Sequence, residues 1–95
     1  MTGTIGKNKV YEAFDNLMYG FGCRLLAELD ERSKCDDELY THTLMTHGSV
    51  IGIVYAYDAM FGKDDNYKLL KESCDKIIKD TLKCATHIGL FDGED

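Results

Sequence analysis

The segment from Gly48 to Tyr57 constrains the fold of this chain more than any other part of the sequence. It is rich in β-branched and aromatic residues, which favour β-strands. No other segment of the chain has a strand pattern, however, and a single unpaired strand is not a stable structure. We therefore predict that this segment is helical, with a strand as the alternative.

As a helix, this segment and its flanks are apolar on nearly every side. The apolar residues point in three directions: Met45, Gly52, Ile53, Ala56 and Met60 in one, Val50, Val54, Tyr57 and Phe61 in a second, and Ile51 with Tyr55 in a third. A helix that is apolar all round must be buried all round. Two neighbouring helices cannot enclose a third in a chain of 95 residues, so we expect the remaining side to meet a second subunit or a different protein.

The predicted interface centres on Gly48, Gly52, Tyr55 and Ala56. Small residues four apart let two helix backbones approach closely, although tight packing inside one subunit would use the same pattern. A two-fold interface is the commonest way for a chain to cover its own apolar surface. We therefore predict self-association through the second helix, as a homodimer or a larger oligomer.

Apolar spacing predicts three α-helices, over 8–31, 36–61 and 64–88. The predicted end signals are Asn8 as the first N-cap, Ser33 and Asp36 at capping-box spacing, Gly62 as a terminator, Asp64 or Asp65 as the third cap, and Gly89 with Leu90 as a Schellman end. Gly20 and Gly22 lie inside the first helix, where glycine is unfavourable. They either permit a close backbone approach or mark a kink.

Two of these helices have a clear buried stripe. The stripe of the first comprises Val10, Phe14, Leu17, Met18, Phe21, Leu25 and Leu29, and that of the third comprises Leu70, Cys74, Ile77, Thr81, Cys84 or Ala85, and Ile88. Opposite charges four apart, such as Lys71 with Asp75 and Lys76 with Asp80, indicate a solvated face on the third helix.

These features predict a single all-α domain over residues 1–95. The fold is either a small three-helix bundle or a helical hairpin plus one helix, completed by oligomerisation. A chain of 95 residues is too short for two independent cores. Residues 1–7 are predicted to form an N-terminal arm, and residues 90–95 an acidic tail.

The charge balance limits the classes of partner. Seventeen acidic residues against eleven basic ones give a net charge of −6, which argues against a nucleic acid or an anionic membrane as the main partner. No segment has the apolar run of a signal peptide or a membrane span, so we predict a cytoplasmic protein. Its four cysteines (23, 35, 74 and 84) are then expected to be reduced.

No motif predicts a catalytic, cofactor or metal site. The Gly-rich stretch at residues 3–7 lacks the strand and the hydroxyl of a phosphate-binding loop, and the one at residues 20–24 lacks the third glycine of a dinucleotide site. Cys84 and His87 are three apart on a helix but lack further zinc ligands nearby. Catalysis by residues that the fold brings together stays open, as the less favoured interpretation.

Four residues are candidates for contact with a ligand or partner. Arg24 and His47 border the buried stripes of their helices, and Tyr11 and Tyr40 are residues of a type that anchors interfaces. The favoured interpretation of function is protein–protein association, as an accessory subunit, adaptor or inhibitor. Inhibitors encoded by mobile elements share this small size and acidic charge, an analogy of size and charge only. The alternative is an oligomer that binds a small anionic ligand, such as a nucleotide, at a subunit interface.

Overall fold

The fold consists of three α-helices that all pack against one another. A computed structural model describes residues 6–32 and 34–91, with α1 at Lys7–Glu31, α2 at Asp36–Phe61 and α3 at Asp65–His87. The segment 48–57 lies within α2, so the helical prediction is confirmed and the strand alternative is wrong. The predicted helix bounds are matched to within one residue at every end.

The contacts at the helix ends show how the helices run. Lys7, at the start of α1, donates a hydrogen bond to Asp64, just before α3, with 3.1 Å between the atoms. Arg32, just after α1, donates to the carbonyl of Ile88, just after α3, at 2.8 Å. Helices α1 and α3 are therefore parallel, and α2 runs antiparallel to both.

At the starts of α1 and α2, the observed N-cap residue differs from the predicted one. The N-cap of α1 is Gly6, which offers no side-chain hydrogen bond, whereas the predicted cap Asn8 lies inside the helix. The Asn8 side chain instead accepts a hydrogen bond from Asn66 at 3.0 Å, so a contact with another helix uses it. The N-cap of α2 is Cys35, again without a side-chain bond, and the predicted Ser33 lies outside the described residues.

The junction between α2 and α3 follows the sequence closely. Gly62 ends α2 with φ of 81°, a conformation that glycine adopts at little cost, although its ψ of −172° is extended rather than left-handed helical. Asp64 caps α3 by accepting a hydrogen bond from the backbone N–H of Tyr67 at 2.9 Å. At the far end of α3, the Leu90 N–H bonds to the Ala85 carbonyl, which confirms the predicted Schellman end.

Asp64 also joins all three helices. Its second carboxylate oxygen accepts from the Tyr57 hydroxyl of α2 at 2.9 Å and from the Lys7 ammonium of α1 at 3.1 Å. The backbone bond from Tyr67, aided by the bonds from Lys7 and Tyr57, holds the pKa of Asp64 below its usual 3.8. One carboxylate therefore fixes the relative positions of three helix ends.

The apolar core forms two clusters along the bundle. The larger cluster, which we call the upper cluster, contains Met18, Val50, Ile53, Val54, Tyr57, Leu70 and Cys74, and the lower cluster contains Leu25, Leu29, Leu39 and Ala85. Leu90 and Phe91, predicted as the start of the acidic tail, pack against the lower cluster; residues 92–95 lie outside the described part of the chain. Leu17, predicted to be buried, is 49% exposed.

The two glycines of α1 have different surroundings. Helix α1 is continuous, so neither glycine interrupts it. Gly22 is buried against Ile77 of α3, and a Cβ built there would lie only 3.1–3.3 Å from three atoms of that side chain. A Cβ at Gly20 would meet nothing within 4 Å. The close approach that the sequence left as one of two alternatives therefore occurs at Gly22 alone.

This difference predicts unequal outcomes for two equivalent substitutions. Gly20→Ala should raise the free energy of unfolding by about 1 kcal/mol, because alanine is the better helix former. Gly22→Ala makes the same gain but forces Ile77 to move, and overpacking of this kind costs about 1–3 kcal/mol. Urea denaturation of both variants checks the expectation. Equal stabilisation by the two would show that α1 and α3 are not in close contact at Gly22.

The contacts of Asp64 predict a pH-dependent contribution to stability. Asp64→Ala should lower the melting temperature by several degrees and Asp64→Asn by less, because asparagine still caps a helix. Since folding lowers this pKa, the ionised form stabilises the fold above the usual pKa, and the benefit disappears as the pH falls and the group is protonated. The difference between wild type and Asp64→Ala should therefore shrink below about pH 4. Asp65→Ala, at the exposed neighbouring position, is the control and should have little effect.

Candidate association face

One side of α2 faces neither α1 nor α3, and we call it the outer face. Its members recur at steps of three or four residues and are all exposed: Thr41, Leu44, Met45, Gly48, Ile51, Gly52, Tyr55 and Ala59. Met45 and Tyr55 are 63% and 68% exposed. None of these residues is charged, so the outer face is a mostly apolar surface with two glycines at its centre.

Those two glycines pack against nothing else in the described part of the chain. A Cβ at Gly48 or at Gly52 would meet nothing within 4 Å. Glycine inside a helix costs about 1 kcal/mol relative to alanine. Helix α2 therefore gives up stability at two consecutive turns without a contact inside the subunit that requires it.

The structure divides the four residues of the predicted interface. Gly48, Gly52 and Tyr55 belong to the outer face, whereas Ala56 is half-buried beside it. Leu44, which is not among the predicted interface residues, lies one turn before Gly48 on the same side and is 49% exposed. Its distance of seven residues from Ile51 was the signal that could have identified it.

The four candidate contact residues do not converge on one site. Arg24 is exposed on α1 and lies 3.4 Å from the carboxylate of Glu28. Tyr11 packs against the upper cluster, where burial raises its pKa, and Tyr40 stacks on Phe91 with 5.0 Å between ring centroids. These residues therefore act in separate parts of the bundle.

His47 is the fourth candidate, and it lies in a polar layer with Thr43 and Thr81. The Thr81 hydroxyl donates to the Ile77 carbonyl at 2.7 Å, so its oxygen accepts from Nε2–H of His47 at 2.6 Å. Thr43 likewise donates to the Leu39 carbonyl at 2.8 Å, and both threonines are fully buried. Burial lowers the pKa of His47, because the charged imidazolium loses hydration there. This histidine is thus held neutral by its position inside the bundle.

A carboxylate–imidazole pair that the sequence analysis missed joins α1 to α2. Glu28 accepts from Nδ1 of His42 at 2.9 Å, and this bond holds the pKa of Glu28 below its usual 4.5. The pair lines a groove of about 230 Å³ together with Arg24 and Met45. The two residues are fourteen apart in sequence, so only the packing of α1 on α2 brings them together. Chemically, such a pair can orient a histidine for hydrogen bonding at its other nitrogen.

A second groove, of about 220 Å³, follows the line where α2 meets α3. Ile51 and Tyr55 of the outer face form one wall, and Tyr67 and Ile78 form part of the other. The outer face therefore continues into a concave surface on the α3 side. Within residues 6–32 and 34–91, no group of three or more His, Cys, Asp or Glu side chains is placed to hold a metal ion.

None of the three described helices has the length and apolarity to cross a bilayer. Comparison with known proteins found no matching family model, no matching curated protein and no matching solved structure.

The position of His47 predicts how stability varies between pH 8 and pH 5. Because folding lowers its pKa below the usual 6.5, the unfolded chain binds a proton more readily than the folded chain in this range. Its contribution to stability is complete above the unfolded pKa and is lost as the pH falls through the folded pKa. The free energy of unfolding of wild type relative to His47→Gln should therefore decrease from pH 8 to pH 5.

Denaturant titration at several pH values measures that difference. The exposed His87 provides a matched control, and His87→Gln should retain the pH dependence of the wild type. A difference between wild type and His47→Gln that stays constant across the range would contradict the assignment of His47 as a buried neutral group.

Proposed function

We propose that the protein acts by protein–protein association and that the outer face of α2 is its contact surface. Its first partner is a second copy of the chain, which makes it a homodimeric accessory subunit, adaptor or inhibitor in the cytoplasm. The observation that carries the proposal is the pair of exposed glycines, Gly48 and Gly52, flanked by large exposed apolar side chains.

The exposed apolar side chains of the outer face would supply the free energy of association. Fully burying a side chain such as Ile or Leu contributes about 1.5–3 kcal/mol. Leu44, Met45, Ile51 and Tyr55 are between 38% and 68% exposed in the single subunit. A contiguous apolar surface of this kind on a soluble domain is typical of an interaction site. Covering the outer face would recover a large part of that free energy.

The area available fits a stable dimer. Helix α2 has 26 residues, which makes it about 39 Å long at 1.5 Å per residue. Together with the flanks of its neighbours, a strip about 20 Å wide, or two helix diameters, is open to a partner. The product is about 800 Å², the size of one side of a standard protein–protein interface. The glycines at its centre would let the partner's helix approach closely.

The alternative function, binding of an anionic ligand at a subunit interface, has less support. It would bring Arg24 and His47 together with tyrosines around one ligand. Arg24 is instead paired with Glu28, and His47 is bonded to Thr81 inside the bundle. The association proposal therefore accounts for more of the exposed surface.

The proposal predicts a dimer that a bulky residue at Gly52 disrupts. We expect light scattering at micromolar concentration to give the mass of two chains for the wild type. Gly52→Leu should weaken the dimer at least about tenfold, because the side chain holds the two backbones apart. Leucine is a better helix former than glycine, so the same substitution should not destabilise the subunit.

Gly20→Leu is the matched control, since Gly20 is also an exposed glycine inside a helix with open space around it. It should leave the dimer unchanged. A strictly monomeric mass for the wild type would overturn self-association, and equal dimers in wild type and Gly52→Leu would exclude the outer face as the contact.

A further inference from the structure

We infer that the two copies pair with their α2 helices antiparallel, crossing between Gly48 and Gly52, and that Asp37 of each copy meets Lys63 of the other. This inference rests on the proposed function and gives the geometry of the same surface. Three observations carry it: the order of side chains along the outer face, the charges at its two ends, and the groove beside it.

The side chains of the outer face fit a second outer face that runs in the opposite direction, because glycine then meets glycine. In an antiparallel pair centred at the level of residue 50, Gly48 lies opposite the partner's Gly52, and Met45 lies level with the partner's Tyr55. The two glycines thus meet at the crossing point. The two most exposed large residues of the outer face, at 63% and 68%, flank that point, Met45 on the α1 side and Tyr55 on the α3 side.

The charges at the two ends favour the antiparallel direction. The first turn of α2 contains Asp36, Asp37 and Glu38. Asp37 shares the direction of the outer face, because it precedes Tyr55 by eighteen residues, or five helical turns. Lys63 follows the other end of α2. Its side chain is 66% exposed, although its ammonium group contacts Asp58 at 2.8 Å and lies 5.5 Å from the centre of the Tyr67 ring.

An antiparallel pair brings each acidic turn to the partner's Lys63, at an end where Asp58 and Asp64 are already paired with Lys63 and Lys7, whereas a parallel pair brings two acidic turns together. Like charges placed opposite each other at an interface are strongly disfavoured. Antiparallel helices also align their dipoles favourably. A shallow crossing of about 20°, as in helical bundles, keeps both ends within reach.

The groove between α2 and α3 gives a place for the remaining large side chain. Leu44 lies seven residues before Ile51 and therefore on the same side of α2, towards α3. In an antiparallel pair, the two-fold axis places the α3 side of one α2 next to the α3 side of the other. The partner's Leu44 then lies level with Ala56, beside the groove of about 220 Å³ that Ile51 and Tyr55 line. Each copy fills the groove of the other.

Charge reversal tests the direction of pairing. Asp37→Lys, Lys63→Glu and the double variant are compared with wild type by analytical ultracentrifugation of the full chain at low ionic strength. Each single variant should weaken the dimer about tenfold, because two attractive contacts become repulsive in the symmetric assembly. The double variant restores opposite charges at both contacts and should recover the wild-type affinity. High salt should remove most of these differences.

Glu72→Lys and Lys79→Glu are matched controls, since both residues are exposed on α3 and change the net charge by the same amounts. They should leave the dimer unchanged. Circular dichroism of every variant checks the subunit fold, and recovery in the double variant also excludes a folding defect as the cause of weaker pairing.

The other outcomes are distinct from one another. A dimer that neither single substitution weakens would overturn the antiparallel pairing while leaving the proposed association intact. Weakening without recovery in the double variant, or equal weakening by the α3 controls, would also overturn it. A monomeric wild type would overturn the proposed function itself, and this inference with it.

Discussion

The central constraint on this protein is that α2 carries more apolar surface than two neighbouring helices can bury. Val50, Val54 and Tyr57 are buried in the upper cluster, whereas Ile51 and Tyr55, each next to a buried residue, are exposed. The three helices together are only about 27 by 15 Å across, so every helix keeps a side towards solvent. Helices α1 and α3 place many polar residues on that side, but the middle of α2 does not. The association that we propose would cover this excess apolar surface.

Three specific contacts fix the positions of the helices around that constraint. Gly22 sets how closely α1 approaches α3, and the bond from His47 to Thr81 sets the register of α2 against α3. Asp64 holds the ends of all three. A slip of α2 by one turn would leave the Nε2–H of the half-buried His47 without its acceptor on Thr81, and an unsatisfied buried polar group costs free energy. Apolar packing alone tolerates such slips more readily, so the polar layer helps to specify a single fold.

The sequence predicted the helices well because their limits are encoded locally. Gly62 and Asp64 determine the α2–α3 junction by backbone conformation and capping, and neither effect needs a partner from a distant segment. Asn8 shows where this reasoning fails. Its side chain was free to cap α1 according to the sequence, but the structure uses it to accept a hydrogen bond from Asn66 of α3.

The same limit explains what the sequence missed in the candidate site. The pairing of Glu28 with His42 depends on the register between two helices, which a periodic pattern does not specify. Periodicity predicts which side of a helix is apolar, but it does not predict how wide a strip of that side the neighbouring helices cover. Leu17 was therefore predicted to be buried, whereas it is exposed. By contrast, the exposure of Ile51 and Tyr55 follows from counting faces, since three apolar directions exceed the cover that two helices supply.

The glycines of this chain have different roles, and each role depends on what surrounds the glycine. Gly22 lacks a Cβ where Ile77 of the same subunit approaches to within contact distance. Gly20 faces open space, and the residues four positions away on either side are the polar Asn16 and Arg24. The exposed Leu17 and Cys23 lie three positions away, so Gly20 is on a mixed polar and apolar surface.

Gly48 and Gly52 combine the two situations. Like Gly20 they face open space, but like Gly22 they lie on an apolar surface, between Leu44 and Tyr55. Inside the subunit, the one buried glycine of α1 marks the place where a second helix comes closest. The same physical reason, that a missing Cβ is favourable only where another backbone or side chain approaches, applies to the outer face of α2. In the association that we propose, the helix that approaches there belongs to another chain, because α1 and α3 pack on the other side of α2.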